Sequence, residues 1–349
     1  MFRTASRVVC AICLIVFAAM AAGAGSAAAE DRLLGMAPPV TGKKPYRLGY
    51  ASADMNADFF LGMAYGVTDE AKQAKVDLVR VVSAGGYGKV AEQVGQLEQL
   101  GTLNLDAIIL LAAAFEGFDK EVDRLVAKGI KVVVVGTPIS SPKVSLGILQ
   151  NQHQIGETLA DYACKQKPKS EMITLPGPAG SEWNKIRFEG VKAGAGKCGL
   201  KLVGNTFEGQ ISIEDGQKQA ADMLLKYPDA DYLYAVAGIF GVGAAQQVKR
   251  MHAKAKILTS GFTRRTLDLI KDGTMAMVIS EPPIVYGRAA VQYTVRLLNG
   301  DPLPNMITGI MPFPVTMVPS IAVTAENVGK YDVNLGDLPP QGWTPPNLQ

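Results

Sequence analysis

The sequence predicts an α/β protein of two lobes, each a doubly wound parallel sheet, joined by a multi-strand hinge with a cleft between them. Three observations carry this. Segments such as "LDAIILLA" and "IKVVVVGT" are apolar without alternation, as strands buried on both faces are. Segments with apolar residues at helical spacing separate them, and parallel strands need such crossovers because tight turns cannot join them. The alternation pauses near Val144 to Asn151 and then starts again, which indicates a second unit of the same kind.

The elements follow in order. "YRLGYAS" reads as a strand and "DFFLGMAYGVTDEAKQAK" as its helix; "VDLVRVVSA" is β-branched and stops at Gly85-Gly86; "KVAEQVGQLEQLGTL" is the next helix. "LDAIILLA" is followed by the helix "FDKEVDRLVAKG" and the strand "IKVVVVGT". The second unit opens with the helix "QIGETLADYACKQ" and the strand "EMITLPG". A glycine stops its next helix, "SEWNKIRFEGVKAGAGKCG", and "LKLVGNTFEG", "ADYLYAVAG", "AKILTSGF" and "MAMVISE" read as strands between further helices. "VYGRAAVQYTVRLLNG" is the last long helix, and the proline-rich stretch after Asp301 holds one apolar run, Pro312 to Val318. A chain that crosses between units more than once makes hinged lobes, and open α/β sheets bind ligands at the carboxyl ends of their strands.

The first residues have another purpose. Arg3 and Arg7 precede an apolar run from Val8 to about Met20, and small residues follow to Ala27-Ala28-Ala29. This is the layout of a secretory signal peptide over 1–29, cleaved before Glu30; the run is shorter than the ~20 residues of a membrane span. The product is expected to be soluble and outside the cytoplasm. The chain has 35 Lys plus Arg and 32 Asp plus Glu, and loss of Arg3 and Arg7 brings it closer to balance. That gives no electrostatic case for nucleic acid or an anionic membrane. Cys164 and Cys198 survive cleavage, near the ends of consecutive helices. They are disulfide candidates in an oxidising compartment, although the sequence does not fix the Cα separation a bridge requires. With only His153 and His252 besides, no metal site is expected.

The search for catalytic chemistry finds no G-x-S-x-G elbow, no H-E-x-x-H and no Walker lysine motif, so neither an enzyme nor a cofactor is expected. Strand-to-helix turns carry aromatic rings instead: Phe59 and Phe60, Tyr87 in "AGGYG", Trp183, Phe240 and Phe262. Each can pack its own helix against its sheet; together they can line a shared apolar box. Glu281, at the end of "VISE", is the clearest carboxylate at a strand end, either a capping or surface residue or a ligand contact. A lone carboxylate beside aromatic rings suits a cation or zwitterion better than a neutral polyol.

Long stretches resemble a known family. "NADFFLGMAYGVTDEAKQAKVDL", "VGQLEQLGTLNLDAIIL", "NQHQIGETLADY", "LPGPAGSEWNKIRFEGVKAG" and "DGTMAMVISEPPIVYGRAAV" resemble type I periplasmic binding proteins of the ribose-binding group, from about Tyr46 to Val323. The resemblance implies a leader at 30–44, a first lobe of 45–149 plus about 282–310, a second of 150–281 plus about 311–330, and a tail at 331–349. Sugar binders of that group carry Asn-Asp where Ala237-Gly238-Ile239 stands and Gly-Phe-Asp where Gly261-Phe262-Thr263 stands. "AGGY", "LPGP" and "AVAGIFGVGAA" are more similar to a narrower subgroup, the TorT-like periplasmic sensors of trimethylamine N-oxide (TMAO). That similarity implies a cage for the methylated amine oxide with Phe60, Tyr87 and Phe262 as rings, Phe59 adjoining, and Glu281 as the acidic residue. Gln152 stands where a cage tryptophan is expected, and Trp183 is a substitute ring. The implied partner is a membrane sensor histidine kinase; the alternative is the permease of an ABC importer for a sugar or other small polar solute.

Overall fold

The structure is a computed structural model that describes residues 32–179, 182–204, 206–346 and 348; the expected signal peptide lies outside them. Two six-stranded sheets have the same layout. The first is built from β1 (Arg47–Ser52), β2 (Asp77–Ser83), β3 (Ala107–Leu110), β4 (Lys131–Val135), β5 (Leu146–Leu149) and β11 (Val315–Met317), in the order β2-β1-β3-β4-β5-β11, all parallel. The second is built from β6 (Glu171–Leu175), β7 (Lys201–Val203), β8 (Tyr232–Ala235), β9 (Lys256–Ser260), β10 (Met275–Ser280) and β12 (Ile321–Val323), in the order β7-β6-β8-β9-β10-β12. Only β12 there is antiparallel to its neighbour. β3, β5 and β8 are buried at every residue, which is why their sequences show no alternation.

The helices are α1 (Asp58–Gln73), α2 (Val90–Leu100), α3 (Asp119–Ala127), α4 (Gln152–Gln166), α5 (Glu182–Gly196), α6 (Ile213–Lys226), α7 (Gly238–Arg250), α8 (Arg264–Lys271), α9 (Pro283–Asn299) and the short α10 (Val333–Gly336). In the first lobe α1 and α9 cover one sheet face and α2 and α3 the other. Helices meet backbone to backbone through facing glycines. A Cβ on Gly66 would lie 2.1 Å from the Ile284 carbonyl oxygen, and one on Gly287 2.2 Å from that of Met63. The α4–α5 pair repeats the device: a Cβ on Gly156 would lie 1.9 Å from the Arg187 carbonyl oxygen, and one on Gly190 2.0 Å from that of His153. This close approach matters for the site below.

The chain leaves the first sheet at Gln150, returns after Glu281 and crosses again between β11 and β12. One expected boundary is corrected here. Residues from Val315 to Met317 pair with β5, so the second lobe is rejoined at β12 and not from about 311. The apolar run suits either sheet edge. The decision is local, because Ile307 and Val315 exchange both backbone hydrogen bonds, at 2.7 and 2.9 Å, and hold the run beside the first sheet. The tail is also built in. Tyr331 stacks on Phe262, Arg264 donates to the Pro339 carbonyl, Trp343 meets Tyr65 edge to face, and Leu348 bridges to Val81. It therefore touches both lobes.

Cys164 and Cys198 are joined, with 5.7 Å between their Cα atoms, tying the end of α4 to the turn after α5. Closing a loop of 34 residues' separation is worth roughly 3–4 kcal/mol on the chain-entropy account. Urea denaturation with and without a phosphine reductant should show that loss, and an unchanged midpoint would contradict it.

Candidate functional site

The strand ends of both sheets converge on the cleft. In the first lobe the turn after β2 is held by two neighbours: Gly86 N–H donates to the Ala53 carbonyl at 2.7 Å and Gly88 N–H to the Ala113 carbonyl at 2.8 Å. Gly85, Gly86 and Gly88 all have positive φ, which side-chain-bearing residues rarely adopt. The result presents Tyr87 with 49 % of its surface open. Its ring lies 5.7 Å from that of Phe60, which meets Phe59 edge to face at 5.6 Å. The hydroxyl is 3.5 Å from Thr137 Oγ1 in the loop after β4. Half of the residue is open, and partial desolvation of its hydroxyl raises its pKa. Thr137 and Arg187 oppose that, while Glu281 and Asp54 add to it. Tyr87 of one lobe thus feels Glu281 of the other.

The second wall is organised by Arg187, which the residue types alone did not single out. It is 1 % exposed. Nε donates to Gln152 Oε1 at 2.8 Å, Nη1 to the Val236 carbonyl at 2.8 Å and to Ser260 Oγ, and Nη2 to Gln152 Oε1 and to Glu281 Oε2 at 2.8 Å. All five N–H donors of the guanidinium are engaged. The side chain joins the ends of β8, β9 and β10 to the start of α4. Two local features deliver it there. The glycine contact between α4 and α5 brings Gln152 beside Arg187, and Asn151 caps α4 by accepting from Gln154 N–H at 3.0 Å. Asn184 donates to the Pro176 and Pro178 carbonyls at 3.0 and 2.8 Å, pinning the turn before α5. One signal was available in the sequence: Trp183 and Arg187 are four apart on a helix and share a face, and the guanidinium lies 4.9 Å from the indole centre.

The expected site residues therefore sort into groups. Phe59, Phe60 and Tyr87 form one aromatic wall. Gln152, Trp183 and Glu281 surround Arg187. Phe262 joins neither set through a ring contact; it is 6 % exposed and stacked on Tyr331 at 5.2 Å. Phe240 is wholly buried in the second core. Glu281 is not the lone carboxylate expected. Its Oε2 accepts from Arg187 and, at 2.7 Å, from Gln150 Nε2, so the pair carries no net charge. Glu281 Oε1 and Gln152 Nε2 have no hydrogen-bond partner among the described residues, which leaves one acceptor and one donor on this wall.

Comparison with known proteins gives this geometry a context. Residues 48–302 match the family described as "Periplasmic binding protein domain". The chain is 23 % identical over 309 residues to the periplasmic protein TorT of Escherichia coli K12, covering 88 % of this chain and 86 % of that one. It is 22 % identical over 269 residues to the ribose import binding protein RbsB of Bacillus subtilis, covering 76 % and 86 %. Among solved structures, a sugar ABC transport substrate-binding protein from Bordetella parapertussis superposes with a TM-score of 0.85 at 36 % identity, over 90 % of this chain and 99 % of that one. That family is one of solute-binding proteins rather than enzymes. By the extent of that match and by its pair of parallel-sheet lobes, the chain belongs to the periplasmic binding protein family and has the type I fold.

Proposed function

We propose that the protein is a periplasmic receptor for a small, net-neutral polar solute, held between the Phe60–Tyr87 wall and the Arg187–Glu281 pair. The observation that carries this is the pairing of Glu281 with Arg187 beneath the cleft. It removes the net negative charge that would favour a cation, and it leaves Glu281 Oε1 to accept and Gln152 Nε2 to donate. A hydroxylated solute satisfies both atoms while its C–H face packs on the rings. The first reading is therefore the substrate-binding component of an ABC importer for a sugar-like or other small polar solute, directed to export by its signal peptide, which is then cleaved near Ala29. The Bordetella relative described as a sugar ABC transport protein supports it.

A second reading is favoured by the aromatic wall and by the likeness to TorT. In it the solute is TMAO or a related methylated dipole, with its oxide on Gln152 and its methyl groups on the rings, and the closed lobes signal to a membrane sensor histidine kinase. A solute drives closure in either case only by binding the closed form more tightly. A thermal-shift screen of sugars, polyols, methylated amines and amine oxides separates the two. Stabilisation by hydroxylated solutes alone supports the importer, and stabilisation by amine oxides alone supports the sensor. For the solute that binds, Tyr87→Ala should weaken Kd about tenfold, roughly 1–2 kcal/mol of lost ring contact. Unchanged calorimetric affinity in that variant would remove the aromatic wall from the site.

A further inference from the structure

Gln150 stands at the first crossing between the lobes, directly after β5, and Glu281 at the second, directly after β10. Its amide links the two. Tyr286 on α9, 1 % exposed, donates its hydroxyl to Gln150 Oε1 at 2.9 Å. That bond orients the amide, so Nε2 points to Glu281 Oε2 at 2.7 Å. Tyr286 belongs to the first lobe, whereas Arg187, the other donor to the same carboxylate oxygen, belongs to the second. Glu281 is thereby gripped by one oxygen from both sides of the hinge, and its other oxygen is left without a partner among the described residues.

We propose that Gln150 is a positioning residue for solute capture: it holds Glu281 by Oε2 so that Oε1 meets the solute, and it makes that hold depend on how the two crossings are set against each other. Tyr286 acts through Gln150. The inference rests on the cleft being the solute site, but part of its test needs no solute.

The sequence has two tryptophans, so Trp343→Phe leaves Trp183, stacked on Arg187, as the only indole. In that background, without solute, Gln150→Met should change Trp183 emission, because Glu281 and Arg187 relax once the amide is gone. Tyr286→Phe should produce a change in the same direction, and the double variant none beyond Gln150→Met. With a solute from the screen, each single variant should raise Kd about tenfold, and the double variant should be no weaker than Gln150→Met, the non-additivity expected of residues acting in series. A residue that merely supports the hinge would lower the melting temperature without moving Trp183 emission. Unaltered emission in both single variants, or additive losses in Kd, overturns the proposal. If emission changes as expected and no solute on the panel binds the parent protein, the hold on Glu281 stands and the solute reading falls.

Discussion

Arg187→Met is expected to destabilise the second lobe by about 3–5 kcal/mol, the cost of leaving a buried charge without its partner. The substitution keeps most of the side-chain volume. It strips Glu281 of one of its two donors, leaves the Val236 carbonyl and Ser260 Oγ without the guanidinium, and frees Gln152 from the wall. A second change identifies the mechanism. Glu281→Gln introduced with Arg187→Met removes the uncompensated charge, and the pair should recover a large part of the loss even though solute binding is not restored. Denaturant titration of the single and double variants decides this. A double variant as unstable as the sum of two singles would mean that packing, not the ion pair, sets the cost.

Asp337→Asn is expected to flatten the pH dependence of stability and to raise stability at pH 8. Asp337 is 1 % exposed and accepts from Ser280 Oγ at 2.8 Å and from the Tyr331 hydroxyl. Burial pushes its pKa from 3.8 up to about 7, against the lowering effect of those two hydrogen bonds and with Glu281 adding to the rise. The native state therefore keeps a proton that the unfolded chain has already released. That contribution to stability is fully present below the unfolded pKa and is lost as pH rises through about 7. The difference corresponds to roughly 4 kcal/mol between pH 4 and pH 8. Asparagine stays neutral throughout, so variant and parent should be similar near pH 4, diverge progressively between about pH 4 and pH 7, and run parallel above that. Burial raises the pKa of Glu70 as well, with the same sign, and the comparison of variant with parent cancels it. Stability curves for the two proteins that are parallel between about pH 4 and pH 7 as well would contradict the assignment.

Much of the architecture was legible because burial on both sheet faces writes itself as unbroken apolar runs such as "IKVVVVGT". The "AGGYG" turn was legible too: glycines, which adopt positive φ far more readily than other residues, marked where the chain leaves β2, and the ring between them had to sit at a strand end. Arg187 was not legible. In "SEWNKIRFEG" it looks like any helical surface charge, and its burial depends on Gly156 and Gly190 bringing two helices into backbone contact. Phe262 was ambiguous for a related reason. A ring at a strand-end turn faces either the cleft or the core, and Tyr331, arriving from the tail, supplied the core partner.

The sequence by itself determined the two α/β lobes and the placing of Phe59, Phe60 and Tyr87 at strand-to-helix turns, because periodicity and turn chemistry are local and act within a few residues. The tertiary structure alone decided the charge of the site. Glu281 meets Arg187 and Gln150 across 94 and 131 residues of chain, and whether a buried carboxylate is bare or paired depends on distance in space, which no local pattern encodes.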